Sequence, residues 1–135
     1  MKFIDASAAV AILANEPQHS AVLRCLDEAT ELVTSPLAVF EILAAMRRRR
    51  AQSAETSAEQ VRSFLETAGI SVVPITETDG QAALAAFARF GKGQGHPAQL
   101  NMGDCFAYAC ARTREVPLLV AGNELPQTDI AAALA

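Results

Sequence analysis

The chain has 135 residues, 51% of them hydrophobic and 19% charged, and a net charge of −4; it is long enough to build its own core and too apolar to stay disordered. Negative net charge excludes gripping nucleic acid through bulk positive potential, so any phosphate contact has to be local. Asp5 interrupts a secretory h-region, no apolar run reaches membrane-spanning length, and Cys25, Cys105 and Cys110 have no C-x-x-C spacing. The expectation is one soluble, cytoplasmic domain over 1–135, with reduced thiols and no thiolate zinc site.

Lys2 to Ile4 reads as a short strand ending at Asp5, followed by an alanine-rich helix over Ala6 to Ala14 that Asn15-Glu16-Pro17 closes. Val22, Leu23, Leu26 and Ala29 give Ser20 to Ala29 a helical repeat, and Leu32-Val33-Thr34 reads as a buried strand. Ser35-Pro36 pairs a capping residue with Pro at the first helical position and predicts a helix to about Arg49. Leu37, Phe40, Ile42 and Leu43 suggest that this helix packs on the sheet. Ser57 to Ala68 is a further helix stopped by Gly69, and Ile70 to Ile75 a strand with Pro74 near its end. A helix over Thr78 to Phe90 leads into the loop Gly91 to Pro97, where three glycines preclude regular structure. Asn101 to Thr113 is helical, and Pro117 to Ala121 is an apolar run fit for an interior strand. Strands separated by helices imply an α/β domain, a parallel sheet of four to five strands with helices on both faces.

Sites in such sheets form at the carboxyl ends of the strands. Asp5 follows the first strand, Glu124 lies just past the last, and Asp104 begins the helix before it. Each has a structural account: Asp5 or Ser7 as a helix cap, Asp104 as partner to Asn101 in a capping box, Glu124 as a solvated turn charge. Glu41 resists such an account, because an ionised carboxylate on an apolar helix face is costly to bury without a partner, and Arg48 is too far along the helix to pair with it. Carboxylates that converge without Lys or Arg repel one another unless they share a hard cation, and Mg²⁺ or Mn²⁺ suits an all-oxygen set used on phosphodiesters.

Phe3-Ile4-Asp5-Ala6-Ser7-Ala8, Pro36-Leu37-Ala38-Val39-Phe40-Glu41, Phe90-Gly91-Lys92-Gly93 and above all Leu100-Asn101-Met102-Gly103-Asp104-Cys105-Phe106-Ala107-Tyr108 resemble the VapC toxins of the PIN-domain superfamily, with the likeness running from Lys2 to Ile130. The resemblance implies a PIN-like fold and a metal-dependent endoribonuclease, toxin of a toxin–antitoxin pair, leaving 5′-phosphate and 3′-hydroxyl ends. It assigns Asp5, Glu41 and Asp104 to Mg²⁺, with Mn²⁺ as a second choice, and Ser7, Asn101 and Asn123 to their support. The fourth position departs from the family's pattern: Ala121-Gly122-Asn123-Glu124-Leu125 has Ala, Glu and Leu where relatives show Lys, Asp and Phe, and Thr128-Asp129-Ile130 is kept. Glu124 is the expected fourth metal residue, able to supply a carboxylate with a longer reach, and whether Glu124, Asn123 or Asp129 completes the site stays open.

Arg47 to Arg50 is the one conspicuous charge run and reads first as a solvated helix end; Arg47, Arg48, Arg89 and Lys92 are the residues that could also meet RNA phosphates. His96 reads as a loop residue and Tyr108 as packing. An RNA substrate, a VapB-like antitoxin and homodimerisation follow from the resemblance. Two other readings remain: a catalytically degenerate PIN-fold binding module, and an aspartate-based phosphotransfer domain, which would need a second acid where Ser7 stands or a late strand-end Lys where Ala121 stands.

Overall fold

The computed structural model describes residues 1–130; the expected single domain extends five residues beyond them. Four strands, β1 (Lys2–Ile4), β2 (Leu32–Thr34), β3 (Ile70–Val72) and β4 (Leu118–Leu119), form one parallel sheet in the order β3-β2-β1-β4. Six helices connect them among the described residues: α1 (Ala6–Leu13), α2 (His19–Glu28), α3 (Pro36–Arg50), α4 (Ala54–Ala68), α5 (Glu77–Phe90) and α6 (Met102–Thr113). Alternate side chains of each strand enter opposite faces of the sheet. Phe3, Val33 and Leu118 pack with Ala83, Ala86, Phe90 and Tyr108 of α5 and α6. Ile4, Leu32 and Leu119 pack with Ala8, Val22, Leu26 and Phe64 on the side of α1, α2 and α4.

The chain leaves β1 towards β2 on one side and returns to β4 on the other, so the strand order reverses around β1, where a parallel sheet opens a crevice at its carboxyl end. Asp5 N still donates to Leu119 O at 3.0 Å, after which the chain turns into α1. That turn leaves Val120 and Ala121 without a ladder partner on β1. Hence β4 pairs over two residues only, shorter than the apolar run Pro117 to Ala121 predicts. β3 is likewise shorter than expected: Val73 N reaches Thr34 O at 2.9 Å, and Pro74 has no N–H to continue with.

Helix starts differ where a cap was overlooked. Ser53 accepts from Thr56 N and begins α4 at Ala54, ahead of the expected Ser57, while Thr76 and Asp79 form a capping box that begins α5 at Glu77. Asp79, 1% exposed, also accepts from Thr113 and from Arg114 at 3.1 Å, which ties the start of α5 to the end of α6. These bonds, set against its burial, hold its carboxyl down at about 2.

α3 corrects a second expectation, since its main packing is on helices: Ile42 and Met46 join Ala9 and Val10 of α1 and Val61 of α4, and the helix also meets α6. Phe40 is 68% exposed as a result. α3 thus leaves one flank open beside the carboxyl end of β1. No helix among the described residues is long and apolar enough to cross a membrane.

Candidate active site

Asp5 caps α1 and lies at the carboxyl end of β1. Its Oδ2 accepts from Ser7 N at 3.0 Å and Ser7 Oγ at 2.5 Å, which starts α1 and fixes the carboxylate at the strand end. Ser7 Oγ in turn accepts from Ala121 N at 3.0 Å. A hydroxyl expected only to order the first turn therefore also stitches β1 to the chain leaving β4. Burial pushes the Asp5 carboxyl up, the Ser7 bonds oppose that shift, and the charge of Glu124 adds to it.

Asp104 lies at the start of α6, where Asn101 and Asp104 form a reciprocal capping box, Asp104 N donating to Asn101 Oδ1 at 2.8 Å and Asn101 N to Asp104 Oδ2 at 3.1 Å. Burial raises its pKa to about 6, against the Asn101 bond and with the repulsion of Asp5 and Glu124. Glu41 projects from the open flank of α3 and accepts no hydrogen bond among the described residues. Burial first, then the charges of Asp5 and Asp104, lift it to about 7. The three acids thus feel one another across three separate elements, and no Lys or Arg among the described residues is paired with any of them.

Of the three residues open for the fourth position, Glu124 is the one whose charge acts on Asp5 and Asp104. Its Oε2 accepts from Asn123 N at 3.2 Å, folded back on the turn after β4, and Asn123 joins the site only through that amide. Asp129 is committed elsewhere. Its Oδ1 accepts from the Tyr108 hydroxyl at 2.5 Å, and its Oδ2 faces Arg89 at 3.1 Å and Arg112 at 3.4 Å. Tyr108 is thus more than packing, and Arg89 is spent on Asp129 and on the Phe90 ring, 4.5 Å away. The glycine loop is closed by its own contacts: His96 Nδ1 accepts from Ala98 N at 3.0 Å, and its ring stands edge-on to Phe90. Lys92 is exposed on that loop, and its side chain has no hydrogen-bond or ion-pair partner among the described residues. The arginine run divides, Arg49 pairing with Glu16 and Arg50 donating to Leu13 O at 2.6 Å, while Arg47 and Arg48 are exposed and unpaired among the described residues.

Sequence reading missed Gly103. A Cβ placed there would overlap the Glu41 carboxylate, so the missing side chain is what lets Glu41 lie against the first turn of α6 beside Asp104. Its signal was the Gly in Asn101-Met102-Gly103-Asp104, in a helical first turn where Gly has no conformational advantage. Gly103→Ala is therefore expected to keep or raise the melting temperature, because the atom it meets is the movable end of a side chain, while lowering by about tenfold or more any RNA cleavage that depends on where the Glu41 carboxylate lies. A thermal melt and a cleavage assay on the same preparation check both halves.

The donor set fits a hard divalent cation: oxygens only, mutually repelling, with raised proton affinities and no protein cation among the described residues to offset them. No three His, Cys, Asp or Glu side chains among the described residues are drawn tightly enough to ligate one ion as they stand. Of the three acids Glu41 is the least restrained, since its carboxylate accepts no hydrogen bond among the described residues.

The family profile described as PIN domain matches residues 2–131. A VapC ribonuclease of Rhizobium meliloti is 40% identical over 141 residues, covering 96% of this chain and 99% of that protein. Among solved structures, the fold is similar to Mycobacterium tuberculosis VapC20, a sarcin-ricin loop cleaving toxin, with a TM-score of 0.77, 15% identity and 97% of each chain covered. It is also similar to a toxin–antitoxin complex from Klebsiella pneumoniae, with a TM-score of 0.66, 11% identity, and 90% of this chain and 87% of that one covered.

Proposed function

The chain belongs to the PIN-domain family, among its VapC ribonucleases, and from that premise we propose a divalent-metal-dependent endoribonuclease, the toxin of a VapBC-type pair. The observation that carries the metal dependence is the cluster of Asp5, Glu41 and Asp104, joined by the charge of Glu124 and offset by no protein cation among the described residues. Asp5, Glu41 and Asp104 would hold Mg²⁺ or Mn²⁺, with Glu124 reaching in from its turn. Such an ion, when bound, polarises a phosphoryl oxygen and acidifies a water for attack.

The protein's own part is positioning. Ser7 holds Asp5 in line with the end of β4, and the α6 capping box fixes Asp104. Asp104 and Glu41, at about 6 and about 7, exchange protons within the range of a working cell. Protons and cation then compete for the same oxygens. Cleavage at limiting Mg²⁺ is accordingly expected to rise as pH goes from about 5.5 to about 7.5, more steeply than at saturating Mg²⁺. A pH series at two Mg²⁺ concentrations reads this directly.

A VapB-like antitoxin is proposed as partner, supported by the similarity to a solved toxin–antitoxin complex, and a homodimer by family membership alone. Arg47, Arg48 and Lys92 remain free for phosphate contacts, and discrimination for RNA rests on binding contacts to the 2′-hydroxyl. The decisive test is incubation of the purified chain with end-labelled RNA in Mg²⁺, in Mn²⁺ and in EDTA. Cleavage undiminished by EDTA removes the metal dependence, and absence of cleavage with every divalent cation removes the nuclease reading and leaves a binding module on the same fold.

A further inference from the structure

The open flank of α3 does more than carry Glu41. A cleft of about 510 Å³ runs along it, lined by Ser7, Glu41 and Gly122 at one end and by Arg48 and Arg49 at the other. Phe40, Ala44 and Arg48 follow one another at four-residue spacing, as do Glu41, Ala45 and Arg49, so these six residues form one continuous helix face. The two alanines make its middle flat. From Glu41 to Arg48 the helix advances about 10 Å.

We infer that this cleft is the track on which a single-stranded RNA segment lies next to the cleavage site, with Phe40 as a stacking platform for a base and Arg48 as the contact to a backbone phosphate. The inference rests on the ribonuclease reading and assigns two side chains of α3 to holding its RNA. Glu16, also in the cleft wall, pairs with Arg49 and cancels its charge. Arg48 remains as the cleft's cation with no ion-pair partner among the described residues. Phe40 is 68% exposed and directly precedes the site acid. A lone exposed aromatic is ordinary, but this one opens into the same cleft as an acid and an unpaired guanidinium. A ring standing out from a helix can take only an unpaired base, since the bases of a duplex are already stacked on one another. The flank opens as a cleft between α3 and α1, whose Ala6 and Val10 form part of the facing wall, while Ile42 and Met46 of α3 are buried in the core with Val61 of α4.

Equilibrium binding of a fluorescein-labelled mixed-sequence RNA decamer tests this, single-stranded and as the matching duplex, on full-length chain carrying Asp5→Asn so that the probe survives. Phe40→Ala is expected to weaken single-strand binding about tenfold without changing the salt dependence, and Phe40→Tyr to restore it. Arg48→Gln is expected to lower the slope of log affinity against log salt by about 0.7, the signature of one lost phosphate contact on a single strand. Arg62→Gln, exposed on α4 away from the cleft, serves as the reference. The inference is overturned if Phe40→Ala and Arg48→Gln bind within twofold of that reference, or if the duplex binds as tightly as the single strand and loses as much in both variants. A wild-type chain that neither binds nor cuts RNA is a different result, and overturns the ribonuclease reading as well.

Discussion

Asp5→Asn and Asp104→Asn are each expected to lower Mg²⁺-dependent RNA cleavage by about two to three orders of magnitude, the scale seen when one preorganised electrostatic group is removed from a catalytic centre. Asparagine is the informative replacement. Both acids start helices, and asparagine caps about as well as aspartate. An amide oxygen in place of the Asp5 carboxylate can still accept from Ser7, and one in place of the Asp104 carboxylate can still close the box with Asn101. The substitutions remove charge and leave the architecture in place. Melting temperatures should consequently stay within a few degrees of wild type while turnover collapses. Retention of more than a tenth of the activity by both variants would sink the metal site, and unfolding of both would show that the negative charge itself holds these helix starts together.

Glu41→Gln should separate stability from function in the opposite sense. Folding lifts Glu41 from 4.5 to about 7, so the folded chain holds that proton more tightly than the unfolded chain does. The stability it contributes is full below its unfolded value and is lost as pH rises through about 7. In EDTA at pH 8 the ionised wild type carries an uncompensated repulsion that glutamine lacks. The variant is therefore expected to be more stable by about 1–2 kcal/mol, or about 3–8 °C, after allowing for partial solvent screening. At pH 4 the two proteins should melt together. Added Mg²⁺ should raise the wild type and leave the variant almost unmoved, because only a folded state that binds the ion gains from it. Thermal melts at pH 4 and pH 8, with and without Mg²⁺, give all four values.

Most of the fold could be read from local chemistry. Ser35-Pro36 and Asn101 mark helix starts, Gly69 marks a stop with its φ of 69°, and the short runs rich in β-branched residues at Leu32-Val33-Thr34 and Ile70-Ser71-Val72 mark strands. What could not be read is what each element does for its neighbours. The strand after Val116 is short because β1 turns into α1 at Asp5, a fact about β1. Phe40 is exposed because α3 chooses α1 and α4 as partners, which its own residues do not reveal. The acids divide in the same way: Asp5 and Asp104 were legible through the family motifs and also serve as the caps that local reading suggested. The open fourth position is narrowed by long-range contacts, with Tyr108, Arg89 and Arg112 taking Asp129 away and leaving Glu124 beside the cluster. Gly103 was hidden for the same reason, since its purpose is the carboxylate of a residue far earlier in the chain.

The order β3-β2-β1-β4 carries one more consequence, which concerns the timing of synthesis. The first strand waits beside an unfilled edge until Leu118 and Leu119 arrive, and Ser7 cannot engage Ala121 before then. A growing chain still on the ribosome can form α1 to α5 and bring Asp5 and Glu41 near one another. It has neither the α6 turn that seats Glu41 nor the edge strand that brings Glu124 in. The acids of the first half of the chain therefore gain their full setting only once α6 and β4 have docked.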